Sequence, residues 1–361
     1  MKQKFYSLTK ILQKKAKYNV IIGERSNGKT YAVLKYGLEN FIKTGKQMAI
    51  VRRWQDDFIG KRGQAMFQAL CANGEVERLT NGEWTYIYYY SGRWFLAKND
   101  EHMKRTICET PIAYGFSISS MEHDKSTSYP DITTIMFDEF LTRTAYLPDE
   151  FVLFMNVCST IIRQRNDVTI FMLGNTVNQY SIYFKEMGLK HIQQMKQGTI
   201  DLYHYGDSNL TVAVEYCSPI NKEGKESDSY FAFDNPKLSM ITGGSWELDI
   251  YPHCPCKWRP KDIAFIYFIE FDDQLLQCEV IVTQESTFTY IHRKTTELKE
   301  PDKDIIFKPD IDHRPNYRRR ITAPTDKVGK KIYEYYLKEK VFYQDNEVGE
   351  LVRNYLLFCK K

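Results

Sequence analysis

The sequence predicts an α/β fold, with a mostly parallel sheet flanked by helices and a smaller α+β domain after it. Three observations point there. The apolar, β-branched run Asn19-Val20-Ile21-Ile22 ends at Gly23, and residues 31–42 then repeat apolar positions at helical spacing up to Thr44-Gly45. Residues 47–53 form the next apolar run, so strand, helix and strand follow one another at the spacing of a parallel βαβ unit. The length of 361 residues exceeds the usual reach of one hydrophobic core and predicts two domains.

The remaining elements follow in order. Residues 84–90 and 93–97 are rich in aromatic and apolar types on either side of Ser91-Gly92, a two-residue loop that predicts a hairpin, inserted or at a sheet edge. Residues 133–137 and 168–173 are short, continuously apolar runs of the kind buried inside a parallel sheet, and 150–165 between them reads as a helix. From about 218 the chain turns polar, through Asn221-Lys222-Glu223-Gly224-Lys225-Glu226-Ser227-Asp228-Ser229, which is a linker composition. The expected organisation is a first domain over 1–217, a linker over 218–235 and a second domain over 236–361. Within the second, 263–271, 275–283 and 288–293 read as consecutive strands of a meander, and 328–340 and 347–359 as helices. There is no internal repeat and no low-complexity tract.

Composition narrows the function classes. Hydrophobic residues make up 43% and charged residues 27%, ordinary values for a soluble globular protein, and no apolar run approaches the roughly 20 residues that cross a bilayer. The start of the chain is basic but lacks the apolar core of a secretory signal, so a cytosolic location is expected. Eight cysteines lie scattered, as in a reducing compartment; His253-Cys254-Pro255-Cys256 is the one cluster, and without a second ligand pair it is a weak zinc signal. A net charge of +4 does not by itself announce a nucleic-acid binder. One basic patch, His313-Arg314-Pro315-Asn316-Tyr317-Arg318-Arg319-Arg320, is either a solvated surface segment or a site of phosphate contact.

Chemistry concentrates in two motifs. Gly23-Glu24-Arg25-Ser26-Asn27-Gly28-Lys29-Thr30 is a full phosphate-binding loop (Walker A) pattern, which average residue usage gives by chance in roughly one chain in a hundred of this length. Its setting decides the matter, because it follows a predicted strand and opens a predicted helix, where backbone N–H groups converge on a phosphate. In this loop Gly23 and Gly28 permit the backbone path, Lys29 reaches the β- and γ-phosphates, and Thr30 offers its hydroxyl to Mg²⁺. Ile135-Met136-Phe137-Asp138-Glu139 is the matching Walker B segment: an apolar strand with two carboxylates at the end where α/β sheets bind ligands. Asp138 would hold the magnesium shell and Glu139 would orient and polarise the attacking water. The adjacent glutamate resembles the additional-strand, catalytic-glutamate class of P-loop ATPases, so ATP and Mg²⁺ are the implied ligands. Asn175, after the strand ending Leu173-Gly174, is either a sensor of the γ-phosphate or a turn residue. Arg163 and Arg165 end a predicted helix, where cations suit the helix dipole; Arg163 is also a candidate arginine finger for a neighbouring subunit.

The order of motifs then becomes recognisable: Gly23 to Thr30, Val51-Arg52-Arg53-Trp54, Tyr129-Pro130-Asp131, Thr134 to Phe140 with Phe137-Asp138-Glu139-Phe140, Arg163-Gln164-Arg165, and Gly174-Asn175. Over about 18–180 the chain resembles the DNA-packaging ATPases of small tailed bacteriophages of the phi29 type. The resemblance implies a ring, expected to be a pentamer, at the portal (connector) of a viral procapsid in the host cytoplasm, driving double-stranded DNA inward by ATP hydrolysis. It implies that Arg163 acts in trans and that Lys125 also reaches a neighbour's nucleotide, although Lys125 read alone is a solvated loop residue. Arg53 would support the phosphate site, or is an ordinary charge at a strand end. The C-terminal domain would be RNase H-like and non-cleaving, used for nucleic-acid binding or for docking, with a structural packaging RNA as a partner in some members.

Glu270, Asp272, Asp273, Asp310 and Asp312 are the acids such a domain would need for two-metal cleavage. Within this resemblance Arg318, Arg319 and Arg320 become candidates for nucleic-acid contact, because phosphate neutralisation is what that domain would need. Lys61-Arg62-Gly63 reads as a basic turn, either a DNA-contacting loop or plain surface. Two other functions fit the same motifs: a different ring-forming translocase or helicase, and a terminase with an active nuclease.

Overall fold

The computed structural model describes residues 5–123, 127–206, 208–219, 246–254 and 256–359. The expected linker lies, from residue 220 onward, outside the described residues. The chain divides into two compact units, Met1–Trp246 and Glu247–Lys361.

The first unit is built on one ten-stranded sheet. Its strands are β1 (Tyr18–Gly23), β2 (Gln47–Arg52), β3 (Tyr86–Tyr90), β4 (Arg93–Asn99), β5 (Arg105–Ile107), β6 (Ala113–Ser117), β7 (Ile132–Asp138), β8 (Thr169–Asn175), β9 (Thr199–His204) and β10 (Thr211–Tyr216). They run in the order β3-β4-β6-β2-β7-β8-β1-β10-β9, with β5 on β4. From β6 to β10 every neighbouring pair is parallel, and the antiparallel strands lie at the margins. The central strands are continuous apolar runs because both faces are covered: Ile135, Met136, Phe137, Phe171 and Met172 are fully buried. Helices are α1 (Thr9–Leu12), α2 (Lys29–Thr44), α3 (Lys61–Ala65), α4 (Gln68–Ala72), α5 (Glu75–Leu79), α6 (Glu150–Ile162) and α7 (Ile182–Glu186). Helix α2 buries Val33, Leu34, Gly37, Leu38 and Phe41, a stripe at helical spacing, and stops at Gly45, whose N–H donates to Phe41 O at 2.8 Å.

The expected βαβ unit, the central strands and the edge hairpin are all present. Four strands of this sheet went unanticipated: β5, a three-residue exposed strand, and β6, β9 and β10. β6 contains Gly115, where a Cβ would stand 2.8 Å from the Phe58 ring, so close packing takes the place of an apolar pattern. β9 alternates weakly, and the short run of β10 is broken by Glu215, which accepts a 2.7 Å bond from Tyr6 Oη. Residues 163–165 leave the expected helix because Arg163 adopts φ 50°. Lys61-Arg62-Gly63 opens a short helix, with Gly63 under the Tyr89 ring.

The second unit carries a six-stranded sheet of β11 (Ile263–Phe271), β12 (Gln274–Val282), β13 (Thr287–Arg293), β14 (Ile306–Phe307), β15 (Tyr317–Arg318) and β16 (Val341–Tyr343). The order is β15-β14-β11-β12-β13-β16. The first three strands form the expected antiparallel meander; β14 then pairs parallel with β11, and β15 parallel with β14. Two helices follow, α8 (Lys327–Leu337) and α9 (Asn346–Phe358), each N-capped by an aspartate: Asp326 accepts from the Gly329 N–H and Asp345 from the Val348 N–H. Among the described residues no helix is long and apolar enough to cross a membrane.

The edge of the first sheet is held by Trp94, which is fully buried among Tyr89, Phe67 and Phe58 and donates from Nε1 to the Gly63 carbonyl at 2.9 Å. Trp94→Phe keeps most of the volume and leaves that carbonyl unbonded. A loss of about 1–3 kcal/mol in urea unfolding is expected; a loss under ~0.5 kcal/mol would show the bond to be idle.

Candidate nucleotide-binding site

Parallel pairing brings the C-terminal ends of β1, β2, β7 and β8 to one edge of the sheet. Gly23 lies opposite Asn175, Asp138 opposite Leu173 and Val51 opposite Phe137. The phosphate loop, both Walker B acids and Asn175 therefore emerge side by side, from segments far apart in sequence.

The loop turns into α2 at Gly28, which takes φ 92°, a backbone conformation that residues with a Cβ rarely adopt. At Gly23 a Cβ would stand 2.8 Å from that of Cys217, so a glycine is required by proximity. Asn27 is buried and braces the turn: its Oδ1 accepts from the Lys29 N–H and from Lys29 Nζ, both at 3.2 Å. Lys29 Nζ also donates to the carbonyls of Gly23 (3.2 Å) and Glu24 (2.7 Å) and to Asn175 Oδ1 (3.3 Å). Burial pushes this ammonium below its usual value, opposed by Cys217, Asp138 and Glu24. A buried cation held mainly by neutral oxygens gains from an anion, and the anion suited to this loop is a phosphate. Arg25 and Ser26 are exposed at the loop's crown, with Ser26 at φ 60°.

Thr30 Oγ1 donates to Asp138 Oδ1 at 3.1 Å, so the two residues expected to share a magnesium shell already touch. Their oxygens are the hard donors that such an ion takes. Glu139 sits at φ 61° with its side chain 61% exposed, and Phe140 N–H after it donates to Leu173 O at 3.2 Å. Gly174 lets this corner close, because a Cβ there would stand 2.7 Å from Leu141 and 2.9 Å from the Phe140 ring.

Arg52 is the site residue that sequence reasoning missed. It bridges both acids, from Nη2 to Asp138 Oδ2 at 2.6 Å and from Nη1 to Glu139 Oε2 at 2.8 Å. Arg53 faces the other way, into a buried cluster, where it meets Glu150 with Nε at 2.8 Å and Nη2 at 2.9 Å. It also donates to the carbonyls of Glu139 (3.3 Å) and Phe140 (2.8 Å). Tyr183 Oη and the Leu147 N–H complete the shell of Glu150 at 2.8 Å each. None of these contacts is to the phosphate loop. Strand alternation was the available signal: along the strand expected over 47–53, adjacent residues point to opposite faces.

Arg163 lies just beyond α6 and donates to Thr127 O at 3.0 Å; Arg165 ties the same loop by bonds to the carbonyls of Tyr129, Pro130 and Ile132. Lys125 lies outside the described residues. Lys61 and Arg62 are exposed on α3. In the second unit Arg318 pairs with Asp326 at 2.9 Å, Arg319 Nε donates to Pro309 O at 3.0 Å and Arg320 is half-buried. Glu270 and Lys308, at the ends of adjacent parallel strands, pair at 2.8 Å. Among the described residues no three His, Cys, Asp or Glu side chains group as a metal site.

Comparison with known proteins gives a consistent setting. The model of the podovirus DNA encapsidation protein (Gp16) family matches residues 1–192. The DNA packaging protein of Bacillus phage B103 is 30% identical over 174 residues, 47% of this chain and 48% of the relative. That of Bacillus phage phi29 is 28% identical over 186 residues, 51% of this chain and 50% of the relative. The chain thus spans about half the length of the curated relatives it matches. In fold it is similar to a chain of the bacteriophage Phi-29 viral genome packaging motor assembly, with TM-score 0.59, 18% identity and 99% of both chains covered. The Phi-28 gp11 DNA packaging motor gives 0.53 and 18%, over 99% of this chain and 98% of that one.

The Arg53–Glu150 pair is testable as a structural element. Glu150→Ala leaves a buried guanidinium unpaired and is expected to lower stability by about 3–5 kcal/mol, whereas the double change Arg53→Met/Glu150→Leu recovers most of it. Denaturant unfolding of the three proteins decides this; equal losses in the single and double variants would overturn it.

Proposed function

Since the chain belongs to the podovirus DNA encapsidation protein (Gp16) family, we propose that it is an ATPase whose turnover drives double-stranded DNA into a viral procapsid. The observation that carries this reading is the convergence of Lys29, Thr30, Asp138 and Glu139 at one end of a parallel sheet. Backbone N–H groups at Gly28 to Thr30 and the Lys29 ammonium take the phosphates. Thr30 and Asp138 hold Mg²⁺, which when bound neutralises charge on the phosphate oxygens. Glu139 accepts a proton from the water that attacks the terminal phosphorus, and Asn175, in contact with Lys29, registers the phosphate's presence.

Arg52 adds a constraint. While its guanidinium holds Glu139 Oε2, the proton of the attacking water goes to the other carboxylate oxygen, Oε1, so Arg52 orients the glutamate for that role. The pair is largely exposed on the glutamate side, and such pairs are worth about 0–1 kcal/mol, small enough to exchange on nucleotide binding. Arg53 is a positioning residue that fixes the Walker B corner from behind.

The assembly is a ring, a pentamer on our reading, seated at the procapsid portal in the host cytoplasm, with a structural RNA as a further partner. Arg163, and Lys125 with it, completes the site of the neighbouring copy. Lys61 and Arg62 contact the DNA backbone. Of the C-terminal arginines, Arg320 and the outer face of Arg319 are the ones offered to nucleic acid, since Arg318 is occupied by Asp326. The C-terminal unit does not cleave: the Lys308 ammonium already neutralises Glu270 where two acids would have to share metal ions.

Three outcomes test the scheme. Glu139→Gln should lower steady-state ATP turnover at least a hundredfold while nucleotide still binds; unchanged turnover would remove Glu139 from its role. Mixing Arg163→Ala subunits with Glu139→Gln subunits should recover activity that neither has alone, and no recovery at any ratio would count against action in trans. Lys61→Ala/Arg62→Ala should weaken duplex binding and reduce its log–log salt slope by about 2, at roughly 0.9 per lost phosphate contact. An unaltered slope would place both residues off the DNA.

A further inference from the structure

Beside the phosphate loop lies a segment that the scheme above leaves unused. The Tyr6 N–H donates to the Asn27 carbonyl at 3.0 Å, Tyr6 Oη donates to Glu215 Oε2 at 2.7 Å, and Leu8 is buried in the core of the first unit. These contacts hold residues 6–8 against the loop and against the end of β10. Phe5, at the start of this segment, is 59% exposed. Its Cβ, Cδ1 and Cγ lie 3.4, 3.4 and 3.8 Å from the point where a Cβ on Gly28 would stand. A large apolar ring is thus held in solvent, next to the last glycine of the loop and one residue from Lys29.

We propose that Phe5 is the platform on which the base of the bound nucleotide stacks, an inference that rests on the phosphate loop's binding ATP. The phosphates are fixed by the N–H groups from Gly28 onward, and a base is joined to them by a single ribose, so it must settle within a short reach of that turn. An exposed aromatic ring beside the turn gives it an apolar surface at little entropic cost, because Tyr6 already fixes the neighbouring backbone. Stacking uses the face of the base, which every base has, and carries little information about its edge. The platform therefore sets affinity for the nucleoside part and favours the larger purine rings, without separating adenine from guanine. It also ties base binding to Tyr6 and Glu215, the half-buried pair that anchors the segment.

Isothermal titration of the full chain with a non-hydrolysable ATP analogue, the matching GTP analogue and inorganic tripolyphosphate, all with Mg²⁺, separates base from phosphate. Phe5→Ala should weaken both nucleotides by roughly tenfold or more, in the range measured for base–aromatic stacking, and leave tripolyphosphate within about twofold of wild type. Phe5→Tyr should restore nucleotide affinity. Thermal unfolding of the variants shows that the loop still folds. Nucleotide affinity unchanged in Phe5→Ala overturns the platform, as does an equal loss for tripolyphosphate, which would mean a damaged phosphate loop. A wild-type chain that takes neither nucleotide nor tripolyphosphate overturns the ATPase reading itself, and the platform with it.

Discussion

The buried pair between Arg53 and Glu150 organises the first unit. It joins the end of β2 to the first turn of α6, and the same guanidinium holds the carbonyls of Glu139 and Phe140. A buried charge left unpaired costs several kcal/mol, so these elements cannot separate one at a time. The corner that carries Glu139 is therefore rigid from behind. That rigidity is needed, because Glu139 sits at a positive φ that costs a residue with a Cβ about 1–3 kcal/mol. The cost is met by the Phe140–Leu173 backbone bond and by close packing at Gly174.

Two adjacent arginines thus serve opposite ends. Arg53 is enclosed and meets its buried carboxylate through two nitrogens. Arg52 reaches the acids at the open edge, and its partner Glu139 is 61% exposed. Screening by water weakens its bond to Glu139, while its bond to Asp138, whose side chain is 6% exposed, lies away from solvent. Helix α6 links this corner to Arg163: its first turn holds Glu150, its end hands the chain to Arg163, and Arg165 binds that end to the loop at 129–132. The corner behind Glu139 and Arg163 therefore lie at the two ends of one helix.

Much of this was legible in the sequence, for physical reasons that differ by element. The phosphate loop and the Walker B strand were readable because each needs specific residue types at fixed offsets beside an apolar run. The roles of Arg52 and Arg53 were not. Alternation shows that they point apart, but β2 is buried on both faces, so no polar side of the strand tells which arginine faces the acids. The same limit hid β6 and β10, whose place in the sheet depends on contacts made by Gly115 and Glu215 with distant residues. The basic run at 318–320 was visible as charge, yet only the fold reveals that Arg318 is occupied by the residue capping α8.

The second unit poses the same question of what a charge is for. The ends of β11 and β14, a parallel pair, lie side by side, and acids gathered there could share metal ions. Here one of the two positions is Lys308, paired with Glu270, and the nearby Asp312 is held by Arg314 through two nitrogens at 2.8 and 3.1 Å. The Arg314 guanidinium keeps the Asp312 carboxyl at about 2, well below the usual range. Both acids are thus neutralised by fixed cations of the chain itself. A divalent ion binding these two carboxylates would have to displace an ammonium and a guanidinium, each already bonded.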